Sequence, residues 1–234
     1  MPRKIACGIV LLILVCMAGG VWVARAGASG PGPAQAPGRY EYEVMTTELP
    51  MHSGMYMSFR RTIEHAVTDY TWQVTVHDAK YPDWADIGWV WSLADGSLGP
   101  AGTRRLKSLS RGRTFGPNFG QRDPKETDWT APWVSKEVLH ELRTGGVAYN
   151  FRVGNLSLTG VFAGDLRVEE EILFPVEVNG KRVYLPAYRC MRGQLTIWNN
   201  SQNPLVLEYQ PIGIPLITGV FGWKVESISI GGAV

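Results

Sequence analysis

The residues best suited to binding chemistry form a basic segment in the middle of the chain. The stretch RRLKSLSRGR, residues 104–113, contains no acid and five cations: Arg104, Arg105, Lys107, Arg111 and Arg113. Clustered guanidinium and ammonium groups attract phosphate and carboxylate groups. The segment therefore predicts contact with an anionic lipid head group or a polyanionic envelope sugar. The alternative is a solvated strand and turn in which Leu106 and Leu109 face the core.

An uncharged segment near the carboxyl terminus is the second candidate for ligand binding. PIGIPLITGVFGW, residues 211–223, places two prolines and three glycines among large apolar side chains, which is unusual for a central strand. The alternative is a loop that plugs one end of the sheet, since burying each such side chain gains about 1.5–3 kcal/mol. We expect an apolar cavity for a lipid-like ligand, lined by Ile214, Leu216, Ile217, Phe221 and Trp223.

Signatures of catalysis and of metal binding are absent from the sequence. It contains no G-x-S-x-G motif, no phosphate-binding P-loop and no G-x-G-x-x-G motif. His140-Glu141 begins like the helix of a zinc protease, but Thr144 occupies the position of the second histidine. His65 and His77 could meet across a ladder, although a third metal ligand cannot be placed. We therefore expect no catalytic residue, no metal and no cofactor.

The amino terminus predicts export. Arg3 and Lys4 precede an uncharged stretch from Ile5 to Ala24, and the following Ala-Arg-Ala matches an A-x-A cleavage site. The apolar run of about 20 residues, near 30 Å as a helix, would also span a bilayer if it were not cleaved. Residues 1–26 are therefore predicted to be a signal peptide or an N-terminal membrane anchor. In both cases the remainder lies in the periplasm or outside the cell.

The rest of the chain divides into a linker and a domain. Residues 27–38, GASGPGPAQAPG, have no charge and are predicted to form a flexible Gly/Pro/Ala linker. Residues 39–234 form a β-rich domain with a possible seam near 111–132. The formal net charge of +2 argues against a nucleic-acid partner, and without residues 1–26 the net charge is near −1. Cys190 is then the remaining cysteine, so we expect a buried, unreactive thiol, no internal disulfide and a monomer.

Periodicity and turn chemistry predict the secondary structure. Ser135 is a good N-cap for a helix that Gly145-Gly146 ends. Asn179-Gly180 predicts a type I′ hairpin over residues 176–185, which places Glu177 opposite Arg182. Alternating apolar residues predict further strands around 55–64, 70–77, 87–93, 147–153, 161–174, 195–198, 205–209 and 223–230. The expected fold is mainly β: an antiparallel curved sheet or half-barrel with one short helix.

Several stretches resemble known exported proteins. SLADGSLGPAGTRR, residues 92–105, resembles a strand and turn of bacterial exported β-sheet proteins of the lipoprotein-carrier-like half-barrel type. PWVSKEVLHELRTGG, followed by FPVEVNGKRVYLPAYR and NNSQNPLVLEY, is similar to uncharacterised bacterial envelope proteins. The resemblance implies an envelope compartment and a curved antiparallel sheet. It assigns a functional role to no residue.

These observations favour a non-catalytic envelope domain with a binding or accessory role, for which a lipid-like apolar ligand is the leading expectation. One alternative is a hydrolase of an envelope polymer whose carboxylates converge only in the folded chain. Another is a structural module that packs against a membrane-associated assembly through an exposed strand edge. Paired carboxylates in a deep pocket would indicate the hydrolase. An apolar concavity would indicate the lipid binder, and a flat apolar patch would indicate the assembly module.

Overall fold

Strands dominate the part of the chain that the structure describes. The computed structural model describes residues 43–63, 66–117, 129–154, 162–211 and 221–231. In chain order the elements there are β1 (Glu43–Val44), β2 (Tyr56–Ile63), β3 (Ala66–Lys80), β4 (Trp84–Ser92), β5 (Leu98–Leu106), β6 (Thr114–Phe115), α1 (Lys136–Gly145), β7 (Val147–Val153), β8 (Phe162–Val178), β9 (Lys181–Cys190), β10 (Leu195–Trp198), β11 (Val206–Tyr209) and β12 (Gly222–Ser229).

The strands form a large curved sheet in the order β5-β4-β3-β2-β12-β11-β10-β9-β8-β7-β6. The end of β12 also pairs in parallel with the end of β8, where Ser227 lies opposite Glu177. Strands β8 to β12 therefore form a partial ring. The expected mainly β, curved sheet with one short helix is confirmed. The sheet is mixed, because ring closure and two further parallel pairs, β1–β9 and β6–β7, bring together strands that are distant in sequence.

The β8–β9 hairpin has the predicted turn and register. Asn179 and Gly180 both have positive φ, 49° and 76°, as a type I′ turn requires. Glu177 lies opposite Arg182, and Val176 lies opposite Val183. The local sequence therefore determines this hairpin.

The helix also begins and ends as predicted. The Ser135 side chain accepts a hydrogen bond from the backbone N–H of Val138, with an N···O distance of 3.3 Å. At the other end Gly146 has φ 68° and donates its N–H to the carbonyl of Leu142. Val138, Leu139 and Leu142 are buried. The apolar face of α1 thus packs into the core.

The core contains a cluster of aromatic side chains. The rings of Phe59 and Trp72 stack with centroids 4.3 Å apart. The Trp223 ring lies 5.2 Å from Trp72, 5.7 Å from Phe115 and 5.0 Å from Tyr209. These residues come from β2, β3, β6, β11 and β12. In the strand order β2 and β3 lie on one side of β12, and β11 and β6 lie on the other, so the cluster connects both parts of the sheet. Residues 41–234 form one compact unit.

Thr62 and Gln210, which we call the buried polar pair, lie next to this cluster. The Gln210 amide nitrogen donates to the Thr62 hydroxyl at 2.8 Å, and both side chains are almost fully buried. Gly222 faces them so closely that an added Cβ would lie 2.6 Å from the Gln210 amide oxygen. A glycine is therefore needed where β12 begins.

Cys190 is fully buried in β9 and is a free cysteine. Burial raises the pKa of its thiol to about 12. Because the thiolate is the reactive form, this environment keeps the sulfur unreactive at neutral pH.

The predicted signal peptide or anchor and the predicted linker, residues 1–38, lie outside the described residues. Among the residues that are described, no helix is both long and apolar enough to cross a membrane.

Candidate anion-binding pocket

The connection from β5 to β6 forms one wall of a pocket of about 590 Å³. We call it the basic pocket. Its lining includes four cationic side chains and no carboxylate. The lining residues are Lys107, Ser108, Ser110, Arg111, Gly112, Arg113, Thr114, Asn150 and Arg152.

The structure divides the five cations of the predicted basic segment into three groups. Arg104 is 6% exposed, and its guanidinium carbon lies 6.0 Å from the centroid of the Trp129 ring. Arg105 points to the other face of β5 and forms an ion pair with Asp86. The alternation of a strand explains this separation, since consecutive side chains point to opposite faces. Lys107, Arg111 and Arg113 lie beyond the end of β5 and line the basic pocket.

Arg105 is engaged outside the pocket. Its Nε donates to Asp86 Oδ1 at 2.6 Å, and its guanidinium lies 4.8 Å from the centroid of the Trp84 ring. The hydrogen bond from Arg105 is the main reason why the pKa of Asp86 is below its ordinary value. Arg105 therefore carries the same charge as Arg111 of the pocket but has a local acidic partner.

Arg152 is the pocket cation that the sequence analysis missed. It lies on β7, directly opposite Thr114 of β6, and its backbone N–H donates to the carbonyl of Arg113 at 2.8 Å. No local pattern in the sequence connects this arginine with residues 107–113. The parallel pairing of β6 with β7 brings them together.

Arg113 fixes the pocket wall to the helix and to β7. Its guanidinium donates to both carboxylate oxygens of Glu141, at 2.7 and 2.5 Å, and to Glu137 at 2.5 Å. It also donates to the carbonyl of Tyr149 at 2.9 Å. These bonds, the strongest with Glu141, raise the pKa of Arg113 above its ordinary value. Arg113 is thus a positioning residue whose charge is already neutralised.

The backbone of the loop is tightly folded between Ser108 and Arg113. The N–H of Gly112 donates to the carbonyl of Ser108 at 2.7 Å. The carbonyls of Leu109 and Ser110 accept hydrogen bonds from the first N–H groups of α1, at 2.8 and 3.1 Å. Leu109 is fully buried. The loop is therefore held on both sides, and Arg111 projects from a fixed backbone.

Arg111 and Arg152 supply the uncompensated charge of the pocket. Both are exposed, and neither has an acidic partner among the described parts of the chain. The hydroxyls of Ser110 and Thr114 and the amide of Asn150 add hydrogen-bond donors to the lining. Two free guanidinium groups beside neutral donors suit a phosphate or carboxylate group.

The predicted apolar ligand site is described only in part. Ile214, Leu216 and Ile217 lie outside the described residues. Trp223 is 3% exposed within the aromatic cluster, where its ring serves the core. Phe221 is half-buried, and its ring faces the guanidinium of Arg61.

The acidic residues of α1 have a structural role. Glu137 and Glu141, which share a face with the exposed His140, both bind Arg113. Across the residues that the structure describes, no group of three or more metal-ligating side chains is present. His65 lies outside those residues.

No protein-family model, no curated protein and no solved structure matches this chain. The resemblance to lipoprotein-carrier-like proteins therefore remains a prediction from the sequence.

Proposed function

We propose that this protein is a non-catalytic, exported envelope domain that binds an anionic ligand in the basic pocket. The ligand carries phosphate or carboxylate groups, as envelope polymers and lipid head groups do. The observation that carries the proposal is that Arg111 and Arg152 line the same pocket and that no carboxylate lines it.

The proposed binding depends on local charge. The predicted mature chain has a net charge near −1, so bulk attraction of a polyanion is weak. An arginine that lacks an internal partner can direct its planar fork of donors to a ligand without first breaking an ion pair. The proposed role is therefore recognition, in which the pocket holds an anionic group and transfers no atom.

Export is part of the same proposal and is supported by the N-terminal sequence. A flexible linker of residues 27–38 after a signal peptide or an anchor would present the domain to the outer side of the cytoplasmic membrane. Anionic polymers and head groups are abundant in that compartment. The site and the predicted compartment thus fit the same ligand chemistry.

Binding of inorganic polyphosphate to the purified domain tests the proposal. Arg111→Ala and Arg152→Ala should each weaken binding about 5- to 30-fold, because each removes a charge-assisted contact of about 1–2 kcal/mol. Titration calorimetry at two salt concentrations gives the affinities and their salt dependence. Vesicles of phosphatidylglycerol, compared with vesicles of phosphatidylcholine, show whether a lipid head group serves as the ligand.

Arg105→Ala is the matched control, since it removes the same charge from the neighbouring strand outside the pocket. Its affinity should stay within about twofold of the wild type, because its charge is compensated by Asp86. An equal loss of affinity in Arg105→Ala and Arg152→Ala would mean that polyphosphate binding depends only on the total charge of the domain. That result would contradict a defined site.

A further inference from the structure

Arg61 occupies an unusual position at one end of the sheet. It lies on β2 opposite Trp223 of β12, next to the aromatic cluster. Its guanidinium carbon is 3.1 Å from the centroid of the Phe221 ring and 5.2 Å from the centroid of the Tyr70 ring. The guanidinium therefore lies over the faces of two aromatic rings.

Arg61 has no anionic partner among the described residues. Its Nε is buried there without a hydrogen-bond acceptor. Burial lowers the pKa of this guanidinium, and the Tyr70 phenol is the group that opposes the shift. A cation that has lost water without gaining an acid gains more than an exposed one from an incoming anion.

Arg60 provides the contrast on the same strand. It points to the opposite face of β2, where its Nε donates to Glu226 at 2.8 Å and its Nη2 lies 2.7 Å from the same carboxylate oxygen. The two neighbouring arginines thus have different environments. Arg60 is neutralised by a carboxylate, and Arg61 lies over two aromatic rings.

The surface around Arg61 is apolar. Tyr70 is 37% exposed. The next residue, Thr71, pairs with Ser92 of the antiparallel strand β4, and this pairing places Leu93 beside Tyr70. Leu93 is 39% exposed. Tyr70 and Leu93, two exposed side chains beside a cation that lacks an acidic partner among the described residues, match a ligand with an anionic head and an apolar tail.

We propose that Arg61, Phe221 and Tyr70 bind the head group of a fatty carboxylate, with its acyl chain against Leu93. The carboxylate would accept two hydrogen bonds in the plane of the guanidinium, while the rings keep that plane fixed. This site involves different elements from the basic pocket and does not depend on it. It gives the lipid-like ligand predicted from the sequence a specific anchor.

Titration of the purified domain with dodecanoate, below its micelle concentration, tests the proposal. We expect saturable binding to the wild type, which tryptophan fluorescence and calorimetry would detect. Arg61→Gln should weaken it by about tenfold or more, because the charge-assisted fork is lost. Arg61→Lys should recover only part of the affinity, because an ammonium lacks the planar fork. Acetate and the uncharged dodecyl maltoside should each bind at least about tenfold more weakly than dodecanoate, since head and tail both contribute.

Arg60→Gln is the matched control and should leave dodecanoate binding within about twofold of the wild type. Inorganic polyphosphate should not displace bound dodecanoate, which separates this site from the basic pocket. Thermal unfolding of each variant checks that it is folded. The proposal is overturned if the wild type shows no saturable binding, if acetate binds as tightly as dodecanoate, or if folded Arg61→Gln retains the affinity of the wild type.

Discussion

Replacing Gly112 with alanine should damage the basic pocket and the stability of the domain together. An added Cβ would lie 2.6 Å from the carbonyl oxygen of Ser108 and 2.6 Å from the Thr130 methyl carbon. Carbon–oxygen contacts normally begin at about 3.3 Å, so the turn must open by about 0.7 Å. That movement stretches and weakens the 2.7 Å hydrogen bond from Gly112 to Ser108.

The cost follows from these two changes. Overpacking costs about 1–3 kcal/mol, and the weakened hydrogen bond adds up to about 1 kcal/mol. We therefore expect the free energy of unfolding to fall by about 2–4 kcal/mol, which lowers the melting temperature by about 5–15 °C in a domain of this size. Because Arg111 and Arg113 flank Gly112, polyphosphate affinity should fall by about tenfold as well.

Thermal and urea unfolding, monitored by tryptophan fluorescence, measure the change in stability. Gly145→Ala is the control, because a Cβ at the end of α1 meets no atom within 4 Å. It should leave stability unchanged or raise it by up to about 1 kcal/mol. A Gly112→Ala protein that melts with the wild type would refute the steric argument. A destabilised Gly112→Ala protein that keeps its affinity for polyphosphate would show that Gly112 supports the fold but not ligand binding.

Four further predictions concern other parts of the chain. Cys190→Ser should cost about 1–2 kcal/mol in urea unfolding, and rapid labelling of the native thiol would contradict its burial. Gly222→Ala should cost about 2–4 kcal/mol through the buried polar pair, and a loss below about 0.5 kcal/mol would show that the strands adjust freely. The hydrogen bonds from Arg113 lower the pKa of Glu141, so their stabilisation is complete above the ordinary value of 4.5 and is lost as the pH falls through the lowered value. Glu141→Gln should therefore flatten the acid dependence of unfolding, and an unchanged profile would refute this assignment. A reporter that works only outside the cytoplasm, fused after the last residue, should be active, and mass spectrometry of the amino terminus would distinguish cleavage from anchoring.

The sequence by itself determined the elements whose cause is local. The Asn179-Gly180 turn and the cap at Ser135 were predictable because their backbone conformations follow from neighbouring residue types. Alternation likewise predicted most of the strands, since a half-buried sheet repeats every two residues. The burial of Cys190 agrees with its apolar surroundings in the strand.

The tertiary structure alone decided which side chains meet. Arg104 and Arg105 looked equivalent to Arg111 in the sequence, but the strand buries the first and pairs the second with Asp86. Arg152 joins the basic pocket only through the pairing of β6 with β7. The contact between Arg61 and Phe221 likewise depends on β12 lying beside β2. Pairings between distant segments depend on the packing of the whole core, because the apolar face of each strand could pair equally well with several other strands. Sites that span such pairings are therefore not encoded in any local pattern.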